Sequence, residues 1–579
     1  MALLALGLLH LSPAPPRSLI SGSHPMHAAR AAVSAVRQRS CHCCASATRS
    51  ARAIDLAERH CSPEPARFAA LRDETAQRWP GGAHMVSGAQ QGRLLHMLVR
   101  LSRASRVLEV GCFSGYAAMW MGLALPAGGK LLSLERDERA AAVARAHLAS
   151  AGLSDRVEVR LGDAMDALEA LPGPRCGEAP FELIFLDADK KRSWEYLELI
   201  VSRQLLAPHG LLLIDNVLWK GEVLARLDPA AVCATSAAAS SLTPSARRSM
   251  ELRDALHAFS TRLAADERMD QLLLPLRDGL TWAQHAPASG ASEAASRGDL
   301  PCGDLPCGDP CGDPRAWDGT HEDKMAAYLR FVGSPEPSKL AALRQALAAE
   351  AASAAEETGY DSAAAAQAAA TTRISRGSPE DLARISREWC GVQQGRLLHM
   401  LVRLSRASRV LEVGCFSGYA AMWMGLALPA GGKLLSLERD ERAAAVARAH
   451  LASAGLSDRV EVRLGDAMDA LEALPGPFEL IVISAEALQV VPSAEAAMRC
   501  ALANLASHGL VIVVAQPATV SEDPTIHEHA RQEDAPRGAL VPMLLSLARQ
   551  VEPAAHAVTL PSPDGDGGVL TLIGRTLEM

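Results

Sequence analysis

Short, almost continuous apolar runs alternate with amphipathic stretches through the first half of the chain. Arg106-Val107-Leu108-Glu109-Val110 reads as a strand ending at Gly111, and helical sequence follows from Ser114 to Leu125. Lys130 to Glu135 is a second strand, with Glu138 to Ser150 as its helix. Val157 to Leu161, Phe181 to Leu186 and Leu211 to Ile214 complete a set of five. Strands with no polar alternation are buried on both faces, which indicates a parallel sheet covered by helices on each side. Leu272 to Leu276 and Leu280 to Ala283, joined by Arg277-Asp278-Gly279, look like a closing antiparallel pair. The expected fold class is α/β, doubly wound and Rossmann-like. Its ligand should sit at the carboxyl ends of the strands.

The same pattern recurs. Residues 90–174 and 393–477 are identical over 85 positions, and Ser62-Pro63-Glu64-Pro65 reappears as Ser334 to Pro337. A repeat this long is a duplicated domain and not a solenoid unit. The expected organisation is a leader over 1–53, a catalytic domain over 54–286, a low-complexity linker over 287–322 and a second, degenerate domain over 323–579. Ala-rich sequence at 345–372 is helical by propensity.

Composition narrows the function. A net charge of −8 with no basic cluster argues against a DNA-binding protein. No run of about 18 apolar residues is present, so no transmembrane helix is expected. Thirteen cysteines in 579 residues are too sparse for a disulfide framework. The cluster Cys41-His42-Cys43-Cys44 lacks a second ligand pair at zinc-site spacing, and Cys302, Cys307 and Cys311 belong to a Pro-Cys-Gly-Asp run typical of a linker. Residues 1–54 hold six Arg and no acid, which is the character of an organelle transit segment (plastid or mitochondrion); a cytoplasmic enzyme with an extended tail is the alternative. Only seven of the 58 basic residues are lysines, so a lysine at a chemical position stands out.

Three strand ends carry candidate ligand contacts. Gly111-Cys112-Phe113-Ser114-Gly115 would let a ligand approach the backbone closely, in a G-x-x-x-G spacing unlike the dinucleotide fingerprint. Glu135 could take both hydroxyls of a ribose, and Gly162-Asp163-Ala164 lies where adenine would rest. Together these suggest an adenosyl ligand. The fourth strand ends in Asp187-Ala188-Asp189-Lys190 and the fifth in Asp215-Asn216, a set of hard oxygen donors suited to Mg²⁺, with Ca²⁺ or Mn²⁺ as alternatives. Helix capping alone would not call for a lysine beside the acids.

Residues from about 54 to 286 resemble the cation-dependent O-methyltransferases, the family of caffeoyl-CoA and catechol O-methyltransferases. The resemblance rests on EVGCFSGYAA, KLLSLERD, LGDAMDAL, FLDADKK, LIDNVLWKGEV and LLPLRDGLTWA. It implies tandem class I methyltransferase domains and S-adenosylmethionine held by Ser87, Glu109, Gly111, Cys112, Ala117, Glu135, Asp163, Ala164 and Asp187. It also implies a divalent cation on Asp187, Asp215 and Asn216, and a catalytic role for Lys190 with Asp187. Ala117 stands where the family commonly has serine, which removes one contact to the methionine end. The implied acceptor is an aromatic hydroxyl of a catechol-type small molecule. A hydroxylated nucleobase of RNA and a non-catalytic adenosyl-binding scaffold are the alternatives.

The second copy keeps Glu412, Gly414, Gly418, Glu438 and Asp466 but places Ser484 at Asp187, Ala487 at Lys190, and Val514 and Ala515 at Asp215 and Asn216. That half is expected to lack the metal route. Because relatives often dimerise, it is also expected to serve as an internal partner, in a pseudo-dimer of the two repeats or within a homodimer.

Overall fold

The computed structural model describes residues 61–227, 243–287, 391–488, 494–515, 556–561 and 569–574 apart from Pro63, with scattered positions between 325 and 341. The leader, its Cys/His cluster, the Cys-Gly-Asp run and the Ala-rich 345–372 segment lie outside the described residues.

The first half contains β1 (Arg106–Val110), β2 (Lys130–Glu135), β3 (Val157–Leu161), β4 (Phe181–Leu186), β5 (Leu206–Asp215), β6 (Met269–Leu274) and β7 (Leu280–His285). They form one sheet in the order β3-β2-β1-β4-β5-β7-β6. The first five are parallel, and β7 runs antiparallel to both β5 and β6. Four of the expected strands have the bounds read from the sequence. The fifth is longer, starting at Leu206. The first helix begins at Tyr116 and not at Ser114, because Gly115 turns through a left-handed conformation with φ of +86°.

Alternate residues of each strand enter different cores. Val107, Leu183 and Leu213 face one side, and Leu108, Ile184 and Ile214 face the other. Period-two alternation therefore persists in three dimensions although both faces are apolar, as a sheet covered on two sides requires.

The second half repeats the plan with β8 (Arg409–Val413), β9 (Lys433–Glu438), β10 (Val460–Leu464), β11 (Phe478–Ser484), β12 (Leu505–Ala515), β13 (His556–Pro561) and β14 (Val569–Gly574), ordered β10-β9-β8-β11-β12-β14-β13. One apolar core runs through both halves, joining the helices Gly88–Ser102 and Val392–Ser405.

Segments preceding the two domains are exchanged reciprocally. Ser62 N–H donates to the Ala557 carbonyl at 3.1 Å, and Ala557 N–H donates to Ser62 Oγ at 3.0 Å. In the mirrored pair, Ser334 N–H donates to the Gln271 carbonyl at 3.2 Å, and Gln271 N–H donates to Ser334 Oγ at 2.8 Å. Arg93 and Arg396 each donate to the carbonyl of the incoming serine, Ser62 and Ser334, at 2.9 and 2.6 Å. Tyr328, Leu329 and Val332, which precede Ser334, are buried in the core of the first half. The two copies thus meet face to face about an approximate two-fold axis, as an isologous pair would.

Candidate active site

Parallel order places the carboxyl ends of β2, β1, β4 and β5 side by side on one edge of the first sheet. At the tip of β1 the chain turns through Gly111, whose φ is +101°. A Cβ there would collide with the Asp187 carbonyl oxygen, so only glycine lets the two strand tips approach. Asp187 N–H donates to the Val110 carbonyl at 2.8 Å, which fixes that approach.

Glu135, at the end of β2, is bound by the same turn. Its Oε2 accepts from the N–H groups of Cys112 at 3.2 Å and Phe113 at 2.6 Å, and its Oε1 accepts from Arg136 and Asp137 at 2.9 and 2.8 Å. The backbone therefore holds this carboxylate against the glycine turn. Glu109 is fully buried and accepts from Ser133 Oγ through Oε2, while its Oε1 is buried without a hydrogen-bond partner. Burial above all, with Asp187 and Glu135 nearby, pushes Glu109 up to about 8. An orphaned carboxyl oxygen beside a glycine turn suits a cationic ligand group such as an ammonium. Cys112 is buried there too, and burial pushes its thiol well up, so it serves as a wall and not as a nucleophile.

Asp163 Oδ1 accepts from Met165 N–H at 2.8 Å and so caps the helix Ala164–Ala170, with Ala164 as its first residue. Beside it Leu161 is 43% exposed, an apolar surface at the strand tip. Ser87 is buried at the start of the helix Gly88–Ser102, and Ala117 is buried in the helix that follows the glycine turn.

Asp187 and Asp215 stand on adjacent strands, continuing the register that pairs Leu186 with Ile214. Lys190 Nζ donates to Asp187 Oδ1 at 2.5 Å, and both side chains are largely buried. Burial raises Asp187 to about 6; Lys190 opposes the rise and Asp215 adds to it. Asp215 accepts from Gln91 Nε2 at 2.8 Å and from the Asn216 N–H at 2.8 Å. Asn216 itself has φ of +62°, a conformation Asn tolerates better than most side chains. Asp187 and Asp215 thus crowd each other at adjacent strand tips with Asn216 next in the chain, residue types suited to a hard divalent cation. Among the described residues, no group of three or more His, Cys, Asp or Glu side chains is arranged to hold a metal ion.

Sequence reasoning missed Gln91, Ser133 and Arg277. Gln91 and Ser133 lie inside the repeated block, where no local motif marks them. Arg277 sits in the β6–β7 turn, donates to the Val86 carbonyl at 2.9 Å and adds a positive field at Asp187.

In the second half, the register pairs Ser484 with Val514, which confirms that Ser484 and Val514 occupy the places of Asp187 and Asp215. A Cβ on Gly414 would meet Ala487 and Ser484 at 3.0 and 3.1 Å, so this edge has an uncharged wall.

Comparison with known proteins identifies the family. The family profile described as O-methyltransferase matches residues 58–286 and again 381–496. A catechol O-methyltransferase of Niastella koreensis is 41% identical over 134 residues, covering 23% of this chain and 59% of that enzyme. Caffeoyl-CoA O-methyltransferase 5 of Nicotiana tabacum is 30% identical over 218 residues, covering 38% of this chain and 83% of that enzyme. Among solved structures, an O-methyltransferase from Bacillus cereus in complex with SAH is 27% identical, covers 38% of this chain and 92% of its own, and has a TM-score of 0.31. With its profile matched in both halves and over more than half of its length, the chain belongs to the O-methyltransferase family.

Proposed function

We propose that the first half transfers a methyl group from S-adenosylmethionine to a hydroxyl of a catechol-type aromatic, with a divalent cation held by Asp187, Asp215 and Asn216. The observation that carries this reading is the Asp187–Lys190–Asp215–Asn216 set beside the Gly111 turn, together with its loss in the half that repeats residues 90–174 unchanged. Names of the relatives, catechol and caffeoyl-CoA O-methyltransferases, support the acceptor class.

When bound, the donor supplies an electrophilic methyl and the cation supplies Lewis acidity toward an ortho-dihydroxy acceptor. The protein's own work is positioning and charge control. The Gly111 turn and Glu135 orient the nucleoside, and the partnerless Glu109 oxygen receives a cationic group of the donor. Gln91 and the Asn216 N–H hold Asp215 in one rotamer, so the ligand set is fixed before substrate arrives. Lys190, whose ammonium lies 2.5 Å from Asp187, stabilises the negative charge that grows on the acceptor oxygen, and the hydroxyl proton released on methyl transfer leaves to solvent water. Most of the rate gain then comes from holding the oxygen in line with the methyl.

The test is methyl transfer to a panel of catechols with and without a chelator, followed by re-addition of Mg²⁺. Transfer should vanish on chelation and return with the metal, and Lys190→Ala should lower kcat by about 10²–10⁴-fold. Turnover indifferent to chelation would overturn the metal, and full turnover by Lys190→Ala would overturn the lysine's role.

A further inference from the structure

We propose that the contact between the two halves holds a small oxyanion, of the size and charge of inorganic phosphate, in a pocket lined by Arg100 and His508. There the anion supplies the negative charge that Asp270 supplies on the opposite side of the approximate two-fold axis.

The repeat builds one cationic cluster twice. Arg93, His96, Arg100 and Arg103 lie in the duplicated block and recur as Arg396, His399, Arg403 and Arg406. Each cluster faces a histidine of the opposite half: His209 of β5 beside Arg406 and Arg403, and His508 of β12 beside Arg103 and Arg100. Burial together with those arginines holds both imidazoles below their usual value.

Asp270 neutralises one cluster from within the chain. It lies 2.7 Å from Arg396 and 3.6 Å from Arg403, and Arg403 also donates to the His285 carbonyl at 2.5 Å. Gln284, the register partner of Asp270 across β6 and β7, is buried. At the other cluster the sheet register puts different residues in both places. Leu212 pairs with Ala283 and its counterpart Val511 with Ile573, so Gly574 stands for Gln284, and its partner His556 stands for Asp270. With glycine in place of glutamine there is an open pocket, lined by His96, Met97 and Arg100 of one half and His508, Leu510 and Gly574 of the other. A Cβ on Gly574 would meet Met97 and Leu510 at 3.7 and 3.9 Å, an ordinary contact, so nothing steric demands glycine there.

Identical arginines thus stand in different company. Burial disfavours the charge on Arg403, and Asp270 offsets it; at Arg100, among the described residues, burial acts alone. A guanidinium withdrawn from water is costly until an anion pairs with it. Its planar fork matches two oxygens of a phosphate. Arg103 adds a second positive charge beside His508, which is exposed at the rim and can donate a further hydrogen bond. Two cations favour a doubly charged anion over a singly charged one.

Isothermal titration of the full chain with inorganic phosphate at about pH 7, with ionic strength fixed by sodium chloride, tests the proposal. One phosphate per chain is expected. Arg100→Gln, and Gly574→Gln, which restores the glutamine of the opposite side, should each weaken binding about tenfold or more. Arg406→Gln, at the exposed arginine on the Asp270 side, should bind as the parent chain does. His556→Asp, which restores the carboxylate, should lose phosphate binding and raise the Tm measured without phosphate. Far-UV circular dichroism establishes that each variant is folded before titration. A folded parent chain that takes up no phosphate would overturn the site, as would parent-like affinity in Arg100→Gln or Gly574→Gln. Equal weakening by Arg406→Gln would show general attraction to positive surface and overturn it too. Phosphate binding undiminished in His556→Asp would overturn the equivalence of the anion with Asp270.

Discussion

The two buried glutamates show what a residue pays for standing ready to bind. Glu412 is buried and accepts from Ser436 Oγ, and burial, with Glu438 nearby, pushes it up to about 8. Folding then requires a proton at any pH between the ordinary carboxyl value and 8, because the unfolded chain is already ionised there and the folded one is not. Stability contributed at this position is therefore complete below about pH 4.5 and falls as pH rises toward 8. Glu412→Gln keeps the size and the acceptor for Ser436 without the titration. It should raise stability at pH 8 by on the order of 1–3 kcal/mol, flatten the slope between pH 5 and 8, and change nothing at pH 4.5. Chemical denaturation of both proteins at three pH values checks it, and an unchanged slope would show that Glu412 is ionised in the fold.

At the scale of elements, β2, β3 and β4, the helix Glu138–Ser150 and the closing β6–β7 pair were readable because pattern, length and turn chemistry agreed. The helix Gly88–Ser102 gave less away. Gln90, Gln91, Arg93 and His96 are buried in it, since it packs between the two halves as well as on its own sheet, and polar residues at such an interface mask the amphipathic signal. The strand-end residues of the site were legible for the converse reason: a parallel sheet puts every strand tip on one edge, so order along the chain becomes proximity in space. Supporting residues such as Gln91, Ser133 and Arg277 were hidden because their partners are distant in sequence. Gly92 illustrates how context overrides propensity. In an exposed helix, Gly→Ala would gain about 1 kcal/mol. Here a Cβ would collide with the Trp120 indole, which the helix packs against at this point. Gly92→Ala should therefore destabilise by about 1–3 kcal/mol, read as a fall in Tm, and Gly395→Ala should do the same against Trp423. A gain in Tm from either would show that the helix can shift away.

The whole molecule has a two-fold plan that is broken in its charges. Arg396, almost wholly buried, reaches across to Asp270 at 2.7 Å, and Arg403 lies 3.6 Å from the other oxygen of the same carboxylate. The register that pairs Asp270 with Gln284 pairs His556 with Gly574, so a histidine holds the equivalent place on the opposite side of the axis. A buried ion pair therefore locks the side of the contact that carries Asp270. Burial alone would raise Asp270, but Arg396, His399 and Arg403 outweigh it and hold the carboxyl below its usual range. A depressed carboxyl contributes stability above its unfolded value and loses it as pH falls through the folded one, so acid below about pH 4 should loosen this contact first. Asp270→Asn removes the charge at every pH and leaves two guanidinium groups facing a neutral amide, a loss of about 3–5 kcal/mol for a buried pair stripped of one partner. The variant should unfold at lower temperature and show its first half and second half melting separately, as the intact chain should only at pH well below 4, where Asp270 takes up its proton. Because the helices Gly88–Ser102 and Val392–Ser405 are buried in one shared core, the full chain should sediment as a monomer. A fragment ending at residue 290 lacks Tyr328, Leu329 and Val332, which fill the core of the first half, and bares the helix Gly88–Ser102. It should pair with a second copy or lose activity with stability. A fragment that stayed monomeric, as stable and as active as the full chain, would mean that the second half contributes nothing to the first.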